Sequence, residues 1–130
     1  QAVYDYPWDF ARRHTGRQPL SAQQAATLPP VTHPCVRTHP DTGRRTMFLT
    51  PIRVCQFVGM DAAESQALVK KLTDFATQER FTYTHSWRPG DVVLWDNRSS
   101  LHRACPFDET NSRRLMHRTT IRGDRPYLAA

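Results

Sequence analysis

Long apolar runs are missing from this sequence. A membrane-crossing helix needs roughly 18 or more consecutive apolar residues, so none is expected. No secretory leader is legible, because QAVYDYPWDF is mixed and acidic, with no basic start and no apolar middle. The first residue is Gln instead of Met, so a segment of a longer protein is expected. Cysteine is scarce. Cys35, Cys55 and Cys105 fit no CxxC metal or redox spacing, and an odd count does not suit a disulfide framework. A reducing, cytoplasmic setting is the simplest expectation. Long basic runs are lacking too. The formal net charge of +6 raises nucleic acid as a partner. The arginines, however, come as scattered pairs: Arg12 and Arg13, Arg44 and Arg45, Arg113 and Arg114. A solvated basic surface is expected, with particular arginines free to meet a small anion. Neither nucleic acid nor membrane is expected as a partner. Internal repeats and low-complexity segments are absent as well.

What remains suits a folded domain. The chain has 130 residues, 38% hydrophobic and 23% charged, enough for one small domain with one core. Residues 1–16 hold YDYPWDFARRH, whose aromatics suit a short helix or turn on that core. Residues 17–30 are polar and end in Pro-Pro, which reads as a loop or lid-like excursion. A short helical turn is expected from Ser21, with Ser21 as its cap. Extended pieces near 35–38 and 46–49 flank HPDTG, whose Pro, Asp and Gly specify a tight turn and hence a β-hairpin.

The clearest helix follows. Asp61 is a natural N-cap, with Glu64 three residues on as in a capping box. Leu68, Leu72, Phe75 and Ala76 recur at helical spacing, and Val69 widens the stripe. The helix is expected to end near Thr77 or Gln78. From Phe81 the pattern changes to strands: FTYTHSW, then DVVLWD, LHRA and the long RRLMHRTTI. Trp87 and Trp95 are expected in the core. The sum is a β-rich α+β domain of jelly-roll type.

Two segments bear chemistry. If RRLMHRTTI is a strand, alternation puts Arg114 and Arg118 on one face and His117 on the other. Two arginines on an inward face each need an anion. A carboxylate ligand fits, since guanidinium grips it through parallel hydrogen bonds. A solvent-facing strand, or pairing with Asp or Glu, would serve as well and stays open. His102, in WDNRSSLHRA, carries an imidazole, a common transition-metal ligand. By local context alone it is an ordinary histidine.

WDNRSSLHRA, then RRLMHRTTIRGDRPY, together with HPCVRTHPDTGRR, resembles the taurine dioxygenase (TauD/TfdA-like) family of Fe(II)- and 2-oxoglutarate-dependent oxygenases. The resemblance runs in order over nearly the whole chain. It implies a double-stranded β-helix of the clavaminate synthase/TauD-like type, a jelly roll of which residues 1–130 are the C-terminal part. It implies a metal site of two histidines and one carboxylate. His102 matches the distal histidine ligand, Arg114 the arginine that binds the C5 carboxylate of 2-oxoglutarate, and Arg118 a second arginine that meets an acidic group of the substrate. Fe(II), 2-oxoglutarate and O2 are the implied cofactor and co-substrates. The implied reaction hydroxylates a small carboxylate or sulfonate substrate and yields succinate and CO2. A homo-oligomer is expected.

The family's proximal His-x-Asp or His-x-Glu motif has a single match here, His39-Pro40-Asp41. Its turn chemistry argues against a metal role, because Pro40 suits a turn and Asp41 should face solvent or cap it. The proximal ligands are therefore expected outside this chain. Alone, the fragment is expected to be inactive. The alternative is a truncated, non-catalytic jelly-roll subunit or a carboxylate-binding remnant.

Overall fold

Ala2, at the start of the chain, is fully buried because the strand it opens lies in the middle of a sheet. The computed structural model describes residues 1–14 and 16–129. Strand β1 (Ala2–Tyr4) is flanked on both edges, by β2 (Val31–His33) and β5 (Val54–Phe57), in the order β2-β1-β5. Both pairings are antiparallel, with Ala2 opposite His33 on one side and Phe57 on the other. β3 (Val36–Thr38) and β4 (Arg45–Met47) form the expected hairpin, Val36 opposite Met47 and Thr38 opposite Arg45. Its connection includes Gly43 at φ 68°, a left-handed conformation that glycine adopts without strain.

β5 breaks simple alternation. Val54 and Phe57 stand three apart, yet both are buried. The register explains it: Val3 faces Gln56 while Tyr4 faces Val54, so one extra residue, Cys55, is accommodated as a bulge. That shift returns both side chains to the core face. The bulge carbonyls of Val54 and Cys55 accept from the Gln66 side-chain amide at 3.0 and 2.9 Å.

Gln66 belongs to α3 (Ala62–Ala76), the expected helix. The Asp61 carboxylate accepts from the N–H groups of Ala63 and Glu64, which fixes the helix start. Val69 enters the core with Leu49, Val54, Phe57 and Ala2, and Leu68 and Leu72 pack against it. Ser65 is fully buried, and its Oγ accepts the Phe57 N–H at 3.0 Å. Phe75 departs from the expected stripe. It is 54% exposed and meets Phe81 of a 3-10 turn (Glu79–Phe81) instead of the core, because the sheet it would cover ends short of it.

Two short helices complete the ordered half. α1 (Tyr6–Arg13) is capped by the Asp5 carboxylate, which accepts from the Trp8 N–H. Its Asp9 is fully buried but paired with Arg13 and Arg53. α2 (Ala22–Ala26) carries the expected Ser21 cap, completed by Gln24 into a reciprocal box. No helix among the described residues is long and apolar enough to cross a membrane.

The second half corrects the sequence reading. Residues 82–129 contain no strand and no helix, so FTYTHSW, DVVLWD, LHRA and RRLMHRTTI do not form the strands expected of them. Val92 and Leu94 are 92% and 90% exposed, and Leu115 and Ile121 are also largely bare. Trp87 and Trp95, expected in the core, are 43% and 36% exposed. A strand stands only when its N–H and C=O groups find a neighbouring edge. Among the described residues these segments find almost none. The exception is the C-terminal piece, where Thr38 N–H donates to the Tyr127 carbonyl at 2.8 Å and Ala129 N–H to Thr38 Oγ1 at 2.9 Å. The chain is sheet-rich in its first half, and its five described strands do not close a jelly roll.

Candidate functional site

His102 is reached through a tightly bonded loop. The Asp96 carboxylate is the hub of that loop. Its Oδ1 accepts from the Arg98 backbone N–H at 2.7 Å and Nε at 2.9 Å. Its Oδ2 accepts from Arg98 Nη2 at 2.8 Å and His39 Nε2 at 2.9 Å. The Arg98 guanidinium, and after it His39, hold this carboxyl far below the usual carboxylate range. Arg98 continues through Nη1 to Asp41 Oδ2 at 2.8 Å. The Asp96 carbonyl then accepts from Ser100 N–H and Ser100 Oγ, folding the chain back. Two residues on, His102 lies on the wall of a cleft of about 250 Å³.

That cleft is lined by Tyr4, Phe48, Asn97, Ser100 and His102 among others. Trp95 packs on the His102 imidazole with ring centroids 4.8 Å apart, and its indole N–H donates to Asn97 Oδ1 at 2.9 Å. Tyr4 OH donates to the Phe48 carbonyl at 2.8 Å. Burial, and then the neighbouring Cys35, push the Tyr4 phenol above its ordinary range, so it stays a neutral donor.

Arg114 and Arg118 are not gathered with His102. Both are exposed and neither lines the cleft. The Arg114 guanidinium lies 5.9 Å from the Phe107 ring centroid. Their segment is not a strand here, so the shared face inferred from alternation has no sheet to define it. His117 is exposed with them.

His39-Pro40-Asp41 is fully engaged otherwise. His39 Nδ1 accepts from the N–H groups of Asp41 and Thr42, both at 3.3 Å, which leaves the proton on Nε2 for Asp96. Among the described residues no three His, Cys, Asp or Glu side chains gather in a way that could hold a metal. With one histidine and no carboxylate on the cleft wall, the residues of this chain do not by themselves fit an iron ion.

Asp96, Arg98 and Tyr4 escaped sequence reasoning. The signal for the first two was on the page, as the DNR triplet before His102. What it lacked was a partner, since His39 lies 57 residues away. Two buried groups in the sheet region keep an unpartnered nitrogen, Arg37 Nε and His33 Nδ1. Arg37 lies over the Phe48 ring at 5.2 Å. Burial first, then Arg125 and Arg37, lower the His33 imidazole below its ordinary value. The three cysteines are free, with Cys105 exposed.

Comparison with known proteins gives this half-built site its context. The chain is 40% identical over 106 residues to an alpha-ketoglutarate-dependent 2,4-dichlorophenoxyacetate dioxygenase of Burkholderia sp. (strain RASC), covering 82% of this chain and 35% of that protein. It is 31% identical to an alpha-ketoglutarate-dependent sulfate ester dioxygenase of Pseudomonas putida, covering 96% of this chain and 42% of that one. Among solved structures it resembles AAD-2 in complex with Mn(II) and N-oxalylglycine, with a TM-score of 0.73 and 28% identity over 86% of this chain and 44% of that one. The chain thus spans less than half the length of each of these relatives. A family model, that of the taurine catabolism dioxygenase TauD, TfdA family, matches residues 1–120. A match of that extent makes the protein a member of the TauD/TfdA family.

Proposed function

We propose that residues 1–130 are the C-terminal part of a single Fe(II)- and 2-oxoglutarate-dependent dioxygenase domain. The complete domain hydroxylates a small anionic substrate while 2-oxoglutarate is decarboxylated to succinate and CO2. The observation that carries this reading is the 40% identity over 106 residues to a protein named for that co-substrate. The remaining metal ligands come from outside this chain, in keeping with the 35% of that relative which it spans.

In this reading His102 is the metal ligand this chain supplies. Arg114 takes the C5 carboxylate of 2-oxoglutarate and Arg118 the acidic group of the substrate. Among the described residues neither arginine is held in an ion pair, so each guanidinium is free for an incoming anion. A planar fork of N–H donors suits carboxylate and sulfate oxygens alike. The named relatives act on an aryloxyacetate and on sulfate esters, both acidic small molecules, which supports an anionic substrate here.

The test uses the complete domain containing this chain. Arg114→Ala is expected to raise the 2-oxoglutarate KM by about tenfold or more, the loss of a charge-assisted pair. His102→Ala is expected to abolish iron-dependent succinate release. Unchanged 2-oxoglutarate dependence in Arg114→Ala would sink the assignment. It would leave the second reading, a non-catalytic subunit or carboxylate-binding remnant, which the lone histidine on the cleft wall favours.

A further inference from the structure

We propose that His39 and Asp41, the two side chains that resemble a metal motif, are positioning residues for His102. The inference takes its functional meaning from the proposed ligand role of His102, but its geometry is independent of it.

The turn presents two groups to one loop. His39 is buried to 7% exposure, and its tautomer is set by the two peptide N–H groups on Nδ1, so Nε2 donates to Asp96. Asp41 accepts from Arg98 on the far side of the same ion cluster. A third tie comes from β4, where Thr46 Oγ1 donates to the Arg98 carbonyl at 3.0 Å. Asp96, Arg98 and Ser100 are thereby all engaged. Both Asp96 oxygens are occupied, Arg98 bridges Asp96 and Asp41, and the Asp96 carbonyl holds Ser100. Ser100 is two residues from His102, and Trp95, the residue before Asp96, packs on the imidazole itself. With no strand in residues 82–129 to orient it, His102 takes its direction from this clamp. A ligand histidine needs just such support, because an imidazole free to rotate presents its lone pair to a metal only part of the time.

Hydrogen exchange and metal binding test this together. In the complete domain containing this chain, Asp96→Ala and Asp41→Asn are compared with the unaltered protein by amide exchange of residues 97–102 and of α3. Asp41 is exposed, so its variant leaves the core untouched. The expected result is roughly tenfold faster exchange in 97–102 in Asp96→Ala, a smaller rise in Asp41→Asn, and no change in α3. His39→Gln, which keeps an N–H donor, should restore most of the protection that His39→Ala loses. In the complete domain, Mn(II) affinity measured by calorimetry should fall about ten- to a hundredfold in Asp96→Ala. Loop exchange that stays unchanged, or rises only in step with α3, overturns the clamp. Unaltered Mn(II) affinity in Asp96→Ala likewise overturns its positioning role. If the loop responds and Mn(II) affinity falls in Asp96→Ala but not in His102→Ala, the clamp stands and the ligand role of His102 fails.

Discussion

Asp96 shows how one carboxylate can organise a loop while remaining open to solvent. Arg98 and His39 favour its charged form, so its folded pKa lies below that of the unfolded chain. The unfolded value is about 3.9. Above that pH both states are ionised and the stabilisation is fully present. As pH falls below about 4 the unfolded chain takes up the proton first, and the contribution is lost progressively toward the folded pKa. Asp96→Asn is therefore expected to flatten the acid limb of stability against pH, read from urea midpoints between about pH 5 and 2. An identical acid limb in the variant would contradict the ion cluster. Sequence made the turn half of this cluster legible, since Pro and Asp before Gly43 favour a turn over a metal-bearing strand. It could not name Asp96 as the partner of His39, because that contact joins positions 57 apart.

At the scale of elements, α3 and β5 act as one unit. Asp61 fixes the helix start, and Ser65 and Gln66 satisfy backbone groups of the bulged strand. Asp61→Ala is expected to cost about 1 kcal/mol by chemical denaturation, the usual loss for an N-cap. Ser65→Ala should cost about 1–3 kcal/mol, because it strands the Phe57 N–H in a dry setting. If Ser65→Ala proves neutral, water reaches that N–H and the helix–strand seam is looser than described. The helix, its cap and its end were all readable from spacing. Phe75 was not, since periodicity reports which side chains share a stripe but not how far the underlying sheet extends. β1 and β5 also went unread, being too short and too mixed to show alternation.

The whole molecule is ordered at one end and open at the other. Leu94, Leu115, Ile121 and Tyr83 lie bare in residues 82–129, where strands were expected. Apolar exposure on that scale is uncommon on a stable monomer. The isolated chain is therefore expected to bind a hydrophobic dye and to self-associate in sedimentation. Expression together with the remainder of the domain should suppress both. A monodisperse, dye-silent monomer would argue that these segments need no partner.

What the sequence by itself determined was local: the Asp61-capped helix, the Ser21 cap, the HPDTG hairpin, and the ordered motifs that mark the TauD/TfdA family. Each depends on residues a few positions apart, where helix period, caps and turn preferences act. Only the tertiary structure decided that His39 and Asp41 grip the loop before His102, that Cys55 is a bulge, and that RRLMHRTTI is left without a sheet. The physical reason is common to all three. Side-chain ion clusters and strand pairing need a partner distant in the chain, and a segment with strand-like residues stays open until an edge is offered to it.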